Sequence, residues 1–335
     1  MSHRSRPVFT CLALAGFIPS MLAAQQASGS YQLDGGRYAV YNLAGSIRVS
    51  AGSGRQLVVD VKTEGADASS LRVATGQIRD RATLRVIYPG DRVVFPGIGS
   101  HSETNLTVRD DGTFSDGGDR GRRVSINGSG PGTRASATLD VAVPPGSELG
   151  VYLAAGAVTV RNVNGNLAID VASASVDIDG LTGDFSLDAG SAPTRLARVR
   201  GGAVSLDVGS GDVTATDVTA TKLSLDSGSG EVTLDGLSVP DLSLDTGSGD
   251  INLTLTSEVR RLSLDSGSGD VTIYAPASLG ARLSAEAGSG DIDVRFPMTR
   301  KVSDDDEDEL HGVIGDGRGE ITIDSGSGDV RLMPR

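Results

Sequence analysis

The sequence predicts an all-β chain: a single-chain parallel β-solenoid with coils of ~19 residues and an irregular N-terminal β cap. Three observations predict it. A phrase typified by Leu225-Asp226-Ser227-Gly228-Ser229-Gly230-Glu231-Val232-Thr233 recurs, with marker residues at 154, 172, 190, 209, 228, 247, 267, 288 and 326. The steps are 18, 18, 19, 19, 19, 20, 21 and 38. Apolar and polar residues alternate on both sides of each marker, as in Leu223/Leu225 before it and Val232/Leu234 after it. That period of two is a half-buried strand. No stretch after residue 24 carries an apolar stripe at helical spacing.

The elements follow in order. Arg4 and Arg6 precede an apolar run from Val8 to Ala24, which reads as a signal peptide over 1–24 cleaved after Ala24. An uncleaved anchor is the alternative, at the short limit for spanning a bilayer. Residues 25–146 lack the marker but hold strand-like runs at Tyr38–Leu43, Ser46–Val49, Gln56–Lys62, Ala82–Tyr88 and Ala137–Val143. They suit a cap, because a bare solenoid end exposes core and strand edges. Within them, 90–135 is rich in Gly, Asp, Arg and Ser and reads as a long exposed loop. The regular solenoid covers 147–335, after Pro144-Pro145-Gly146. The 38-residue step from Gly288 to Gly326 is expected to hold one unmarked coil plus an acidic loop, 299–312. In each coil the Ser-Gly-Ser-Gly tetrad forms the corner, where glycine permits positive φ. Coils stacked at the strand spacing of about 4.8 Å make a rod.

Composition narrows the function. The net charge is −13, and loss of Arg4 and Arg6 with the leader would make it −15. This disfavours nucleic acid and anionic membranes as partners and favours cations or basic ligands. Cys11, the one cysteine, lies in the leader, so the mature chain has neither disulfide nor thiolate metal site. Tryptophan is absent and aromatics are 4%, which supplies few stacking platforms. His3, His101 and His311 are too scattered to share a metal, and no Gly-x-Ser-x-Gly elbow occurs. The Gly-Ser-Gly corners are followed by an acid rather than Lys-Ser/Thr, so phosphate would be repelled. The clusters Arg120/Arg122/Arg123 and Arg195/Arg198/Arg200 read as charge balance, and the acid run Asp304–Glu309 as a solvated loop.

The candidate site is a pair of acid ladders. Two positions before the marker stand Asp170, Asp188, Asp207, Asp226, Asp245, Asp265, Glu286 and Asp324. Three positions after it stand Asp212, Glu231, Asp250, Asp270, Asp291 and Asp329. Stacking would bring like charges about 5 Å apart, at roughly 1 kcal/mol per pair in water. Two compensations fit. Calcium welcomes carboxylates beside a glycine turn, with Asp207, Asp226, Asp245, Asp265, Asp212, Asp250, Asp270 and Asp291 as candidate ligands. Alternatively each Asp caps the N–H groups of its own corner. The calcium-binding nonapeptide sets its Asp two places after the second Gly, whereas Asp212 and its equivalents follow that Gly directly.

These residues carry a resemblance. Gly45-Ser46-Ile47-Arg48-Val49, Val141-Ala142-Val143-Pro144-Pro145-Gly146, the repeated Ser-Gly-Ser-Gly-Asp-Val, and Gly315-Asp316-Gly317-Arg318-Gly319 running into Ile321-Thr322-Ile323-Asp324-Ser325-Gly326 resemble the DUF4097 group of β-strand-repeat proteins. The group carries an adhesin label that describes architecture more than activity. The resemblance covers about 31–332 and implies a right-handed β-solenoid in the cell envelope without established catalytic residues. The 90–135 segment and the acid run are not required by that pattern.

The expected function is a non-enzymatic, extracytoplasmic scaffold or adhesin-like module: periplasmic, surface-bound or secreted. Its partner would be an envelope or surface protein or a glycan. An envelope-stress sensor is one competing reading, and a calcium-dependent polysaccharide lyase is another.

Overall fold

The computed structural model of the protein describes residues 25–115, 120–301 and 309–335. The expected leader and most of the acid run lie outside them. The chain is an all-β solenoid. Each coil contributes one strand before the glycine corner and one after it, giving a leading and a trailing face around a single core. Register is continuous: Leu206 pairs with Leu225, Leu225 with Leu244, and Leu244 with Leu264. On the trailing face Ala215, Leu234, Leu253 and Ile273 align in the same way. Every one of these side chains is buried, so leucine covers leucine along the axis. A slip of one residue would turn the whole column outward.

The corner glycines serve two purposes, of which the sequence reading anticipated one. Gly230 has φ +131°, a region that side-chain-bearing residues avoid. Gly228 has no such φ. A Cβ on it would stand 2.4 Å from the carbonyl oxygen of Gly209 in the coil beneath. Both glycines are needed for close coil-to-coil approach, since a Cβ on Gly230 would also stand 2.6 Å from Gly211 O, and the second is needed for the turn as well. The far side of each coil has its own left-handed column, Asn162, Gly180, Arg198, Asp217 and Gly236, at φ 52° to 83°.

The array begins earlier than the marker phrase does. Arg37–Ala51 is itself a coil: Tyr38 to Val49 pair in parallel with Leu149 to Val160, and Gly45 (φ +125°) lies under Gly156 (φ +135°). Beyond this coil the leading face continues through Arg81–Ile87 and Arg72–Ile78, and the trailing face through Ser136–Val143, Leu57–Glu64 and Gly29–Leu33. The outermost of these pair antiparallel, and Gln25–Gln26 adds a last antiparallel strand beside Arg72–Ile78.

The described residues of 90–135 are not an open loop. They form a three-stranded sheet of Arg92–Val94, Glu103–Val108 and Arg122–Asn127. Val93, Val108, Val124 and Ile126 are buried beneath it, and Thr104 Oγ1 meets Ser173 Oγ of the rod at 2.6 Å. Phe114 packs edge-on against Tyr41 and Tyr152, which stack at 4.3 Å. The few apolar residues of this segment alternate, and that alternation lets so polar a stretch fold onto the rod.

The C-terminal end is interleaved. Coils were expected to stack in chain order. Instead Gly319–Ser325 pairs with Arg261–Ser266 on one edge and Ala281–Ala287 on the other. Val330–Pro334 lies likewise between Val271–Ala275 and Ile292–Val294. The last coil in sequence is therefore the penultimate coil in space. Among the described residues the 38-residue step holds no unmarked coil; Glu309–Ile314 runs antiparallel to Ala281–Ala287, with Met298–Lys301 antiparallel outside it. His311 sits on the strand Glu309–Ile314, 2.7 Å from Glu309, rather than on a loop.

Candidate functional site

Period-two geometry turns the residues beside each inward leucine toward solvent. The leading acids are consequently aligned: Asp170–Asp188–Asp207–Asp226–Asp245–Asp265–Asp324–Glu286 are neighbours in consecutive register pairs. The spatial order places Asp324 before Glu286 because of the interleaved coil. A parallel row of hydroxyls runs beside them: Ser186, Ser205, Ser224, Ser243, Ser263, Thr322 and Ser284.

The carboxylates of Asp207, Asp226, Asp245 and Asp265 accept no hydrogen bond and form no ion pair among the described residues. Their own corner N–H groups do not cap them. Those amides serve the stack, as when Gly228's neighbour Ser229 donates its N–H to Gly209 O at 3.1 Å. The expectation of own-corner capping fails here for that reason. Partial desolvation, then repulsion from Asp226 and Asp265, raises the pKa of Asp245 above the ordinary carboxylate value. Desolvation and Asp207 do the same to Asp188.

The trailing acids behave differently. Four of the six accept a hydrogen bond from the backbone N–H of the equivalent residue one coil away. Asp212 Oδ1 receives Glu231 N at 3.0 Å, Asp250 receives Asp270 N at 2.9 Å, Asp270 receives Asp329 N at 3.0 Å, and Asp329 receives Asp291 N at 3.1 Å. Capping occurs on this side, but between coils. Arg331 adds a guanidinium, 3.0 Å from Asp270 and also bonded to Asp329. The backbone bond from Asp329, then Arg331, hold Asp270 below the usual carboxylate range.

The eight residues named as calcium ligands thus divide. Asp207, Asp226, Asp245 and Asp265 form one aligned row; Asp212, Asp250, Asp270 and Asp291 form another across the corner, in which the first three accept hydrogen bonds from the next coil. Among the described residues no three carboxylate, His or Cys groups converge as a metal-holding cluster. Strand spacing explains this: neighbours in a row lie about 4.8 Å apart and point the same way. Arg198 pairs with Asp179 at 2.7 Å, as expected of a charge-balancing cluster.

The Toastrack DUF4097 family profile matches residues 100–333. The chain belongs to this family. The Toastrack match spans the regular coils, the interleaved C-terminus and most of the inserted sheet. No curated protein matches the sequence. One solved structure, described as a "putative cell adhesion protein" from Clostridium sporogenes, is 12% identical, with 93% of this chain and all of that one covered at a TM-score of 0.17. A superposition that loose carries no argument.

The polar face of the inserted sheet was missed by sequence reasoning. Arg92, Glu103, Asn105, Arg123, Ser125 and Asn127 line a cleft of about 520 Å³ there. The alternation Arg123-Val124-Ser125-Ile126-Asn127 was the available signal, hidden by flanking glycines and charges. No helix among the described residues is long and apolar enough to cross a membrane.

Proposed function

We propose that this Toastrack protein is a non-enzymatic, extracytoplasmic interaction module of the cell envelope, adhesin-like or scaffolding, that presents its leading face to a partner. One observation carries the reading. Rows of carboxylates and hydroxyls run in register along the rod, and the central acids are left uncommitted by the fold. A rigid repeating surface offers many weak, identical contacts, which suits a repetitive envelope partner. The apolar start of the sequence supports delivery out of the cytoplasm.

The test compares retention of the full chain and of a variant with Asp207, Asp226, Asp245 and Asp265 all changed to Asn on washed envelope fragments. Retention should fall several-fold while the far-ultraviolet spectrum and melting curve stay unchanged. Equal retention would overturn the assignment of the leading face.

A further inference from the structure

We propose that the cleft on the inserted sheet binds an acidic saccharide, a sugar residue carrying a carboxylate. This goes beyond the leading-face reading, because it concerns another surface and does not need that reading to hold.

Strand pairing builds the site. Arg92 pairs with Ser125, Asn105 with Ser125, and Glu103 with Asn127. Alternation sends Val93, Thr104, Val124 and Ile126 down onto the rod. The polar residues between them face up into one cleft. Its volume of about 520 Å³ lies within the range of small-ligand sites.

The groups in the cleft are already ordered. Asn127 Nδ2 donates to Ser125 Oγ at 2.8 Å, and Ser125 Oγ donates to Glu103 Oε1 at 2.8 Å. Asn105 Nδ2 donates to the same oxygen at 3.0 Å, and Arg123 Nε donates to Asn105 Oδ1 at 3.3 Å. The bonds from Ser125 and then Asn105 hold Glu103 below its ordinary pKa, so it is an acceptor at neutral pH. Its other oxygen, Oε2, stays open to a ligand hydroxyl.

Both signs of charge are therefore offered. Arg92 and Arg123 have no ion pair among the described residues, unlike Arg37, Arg161, Arg198, Arg260 and Arg331 on the rod. Arg123 spends Nε on Asn105 but keeps both terminal nitrogens, and Arg92 makes no side-chain bond among the described residues; both suit a carboxylate. Glu103 and Asp91 oppose a bare dianion such as phosphate, but they accept hydroxyl protons. A ligand that satisfies both halves carries one carboxylate among several hydroxyls. No aromatic platform lines the cleft. Recognition would thus run through hydrogen bonds and charge, in keeping with the scarcity of aromatics in the chain.

The experiment is calorimetric titration of the full chain with trigalacturonate, with the neutral galactose trisaccharide, and with inorganic phosphate. Trigalacturonate should bind at least tenfold more tightly than either comparison. R92Q/R123Q should lose at least tenfold in affinity for trigalacturonate with an unchanged melting temperature, and E103A should also weaken it. The four-Asn variant of the leading face should bind trigalacturonate like the parent, which separates this cleft from the face proposed above. Absence of trigalacturonate binding, equal binding of phosphate, or unchanged affinity in R92Q/R123Q would each overturn the assignment.

Discussion

The two sides of one corner carry acids at the same repeat, yet the fold treats them oppositely. After the glycine pair, Asp212, Asp250, Asp270 and Asp329 each hold the next coil's amide, so their charge fastens the stack. Before it, Asp207, Asp226, Asp245 and Asp265 stand in line with no counter-group among the described residues and repel one another. A carboxylate just past the corner looks along the axis to a backbone N–H that the turn leaves unpaired. One on the straight strand has neighbours whose amides are committed to the sheet. Aspartate frequency is thus uninformative without position relative to the turn.

Four measurements would break or sharpen this contrast. The largest effect should come from the corner that separates the rows. Gly247→Ala places a Cβ 2.5 Å from Gly228 O, and the forced separation of coils should cost about 1–3 kcal/mol in denaturant unfolding. Gly36→Ala, where a Cβ meets nothing within 4 Å, should stay within about 0.5 kcal/mol and serves as the control. If both variants melt alike, close approach is not what the first glycine secures.

Next comes the trailing row. Asp270→Ala removes the acceptor for Asp329 N and a partner of Arg331. The bond is charge-assisted but partly solvated, so about 1 kcal/mol should be lost. The leading row should give the reverse sign. Asp226→Asn and Asp245→Asn remove repulsion and should stabilise by a few tenths of a kcal/mol at low ionic strength, fading above 0.5 M salt. A loss of stability in the Asn variants would mean that this row is satisfied after all.

Titration separates the rows in a third way. Asp270 is depressed below 3.8, so its contribution is present above that value and lost as pH falls through its lower folded pKa. Asp245 is raised above 3.8, so its favourable contribution exists below 3.8 and disappears as pH rises through its folded pKa. On acidification D270A should therefore show a shallower fall in stability than the parent, and D245N a steeper one. Parallel pH profiles would contradict the assignment. The smallest expected effect is that of chelation. Dialysis against a chelator should leave the melting temperature unchanged, and a rise on adding millimolar calcium would show that the leading row takes the ion.

Much of this was legible in the sequence. The Leu-x-Leu and Val-x-Leu alternation around each Ser-Gly-Ser-Gly fixed the strands, and equal spacing fixed Asp226 against Asp207 and Asp245. Three things were not legible. Arg37–Ala51 forms a coil without the marker phrase, since its single Gly45 supplies the turn and its stacking partner lies 111 residues later. The inserted sheet rests on a handful of apolar residues in a polar stretch. The order of the last two coils was hidden because both carry the same repeat; with Glu309–Ile314 on the outer edge of 281–287 and Met298–Lys301 beyond it, the returning strand is left the inner edge.

That inner placement of residues 319–334 bears on how the rod is completed. From Ser147 onward the coils follow one another in chain order as far as Ala275. The segment 281–294 carries the same repeat, yet it sits one level farther out than chain order would place it. Residues 319–334 fill the level between 261–275 and 281–294 and supply the hydrogen bonds to both. The C-terminus works as a keystone: until it arrives, two hydrogen-bonding edges stay open to any other extended chain.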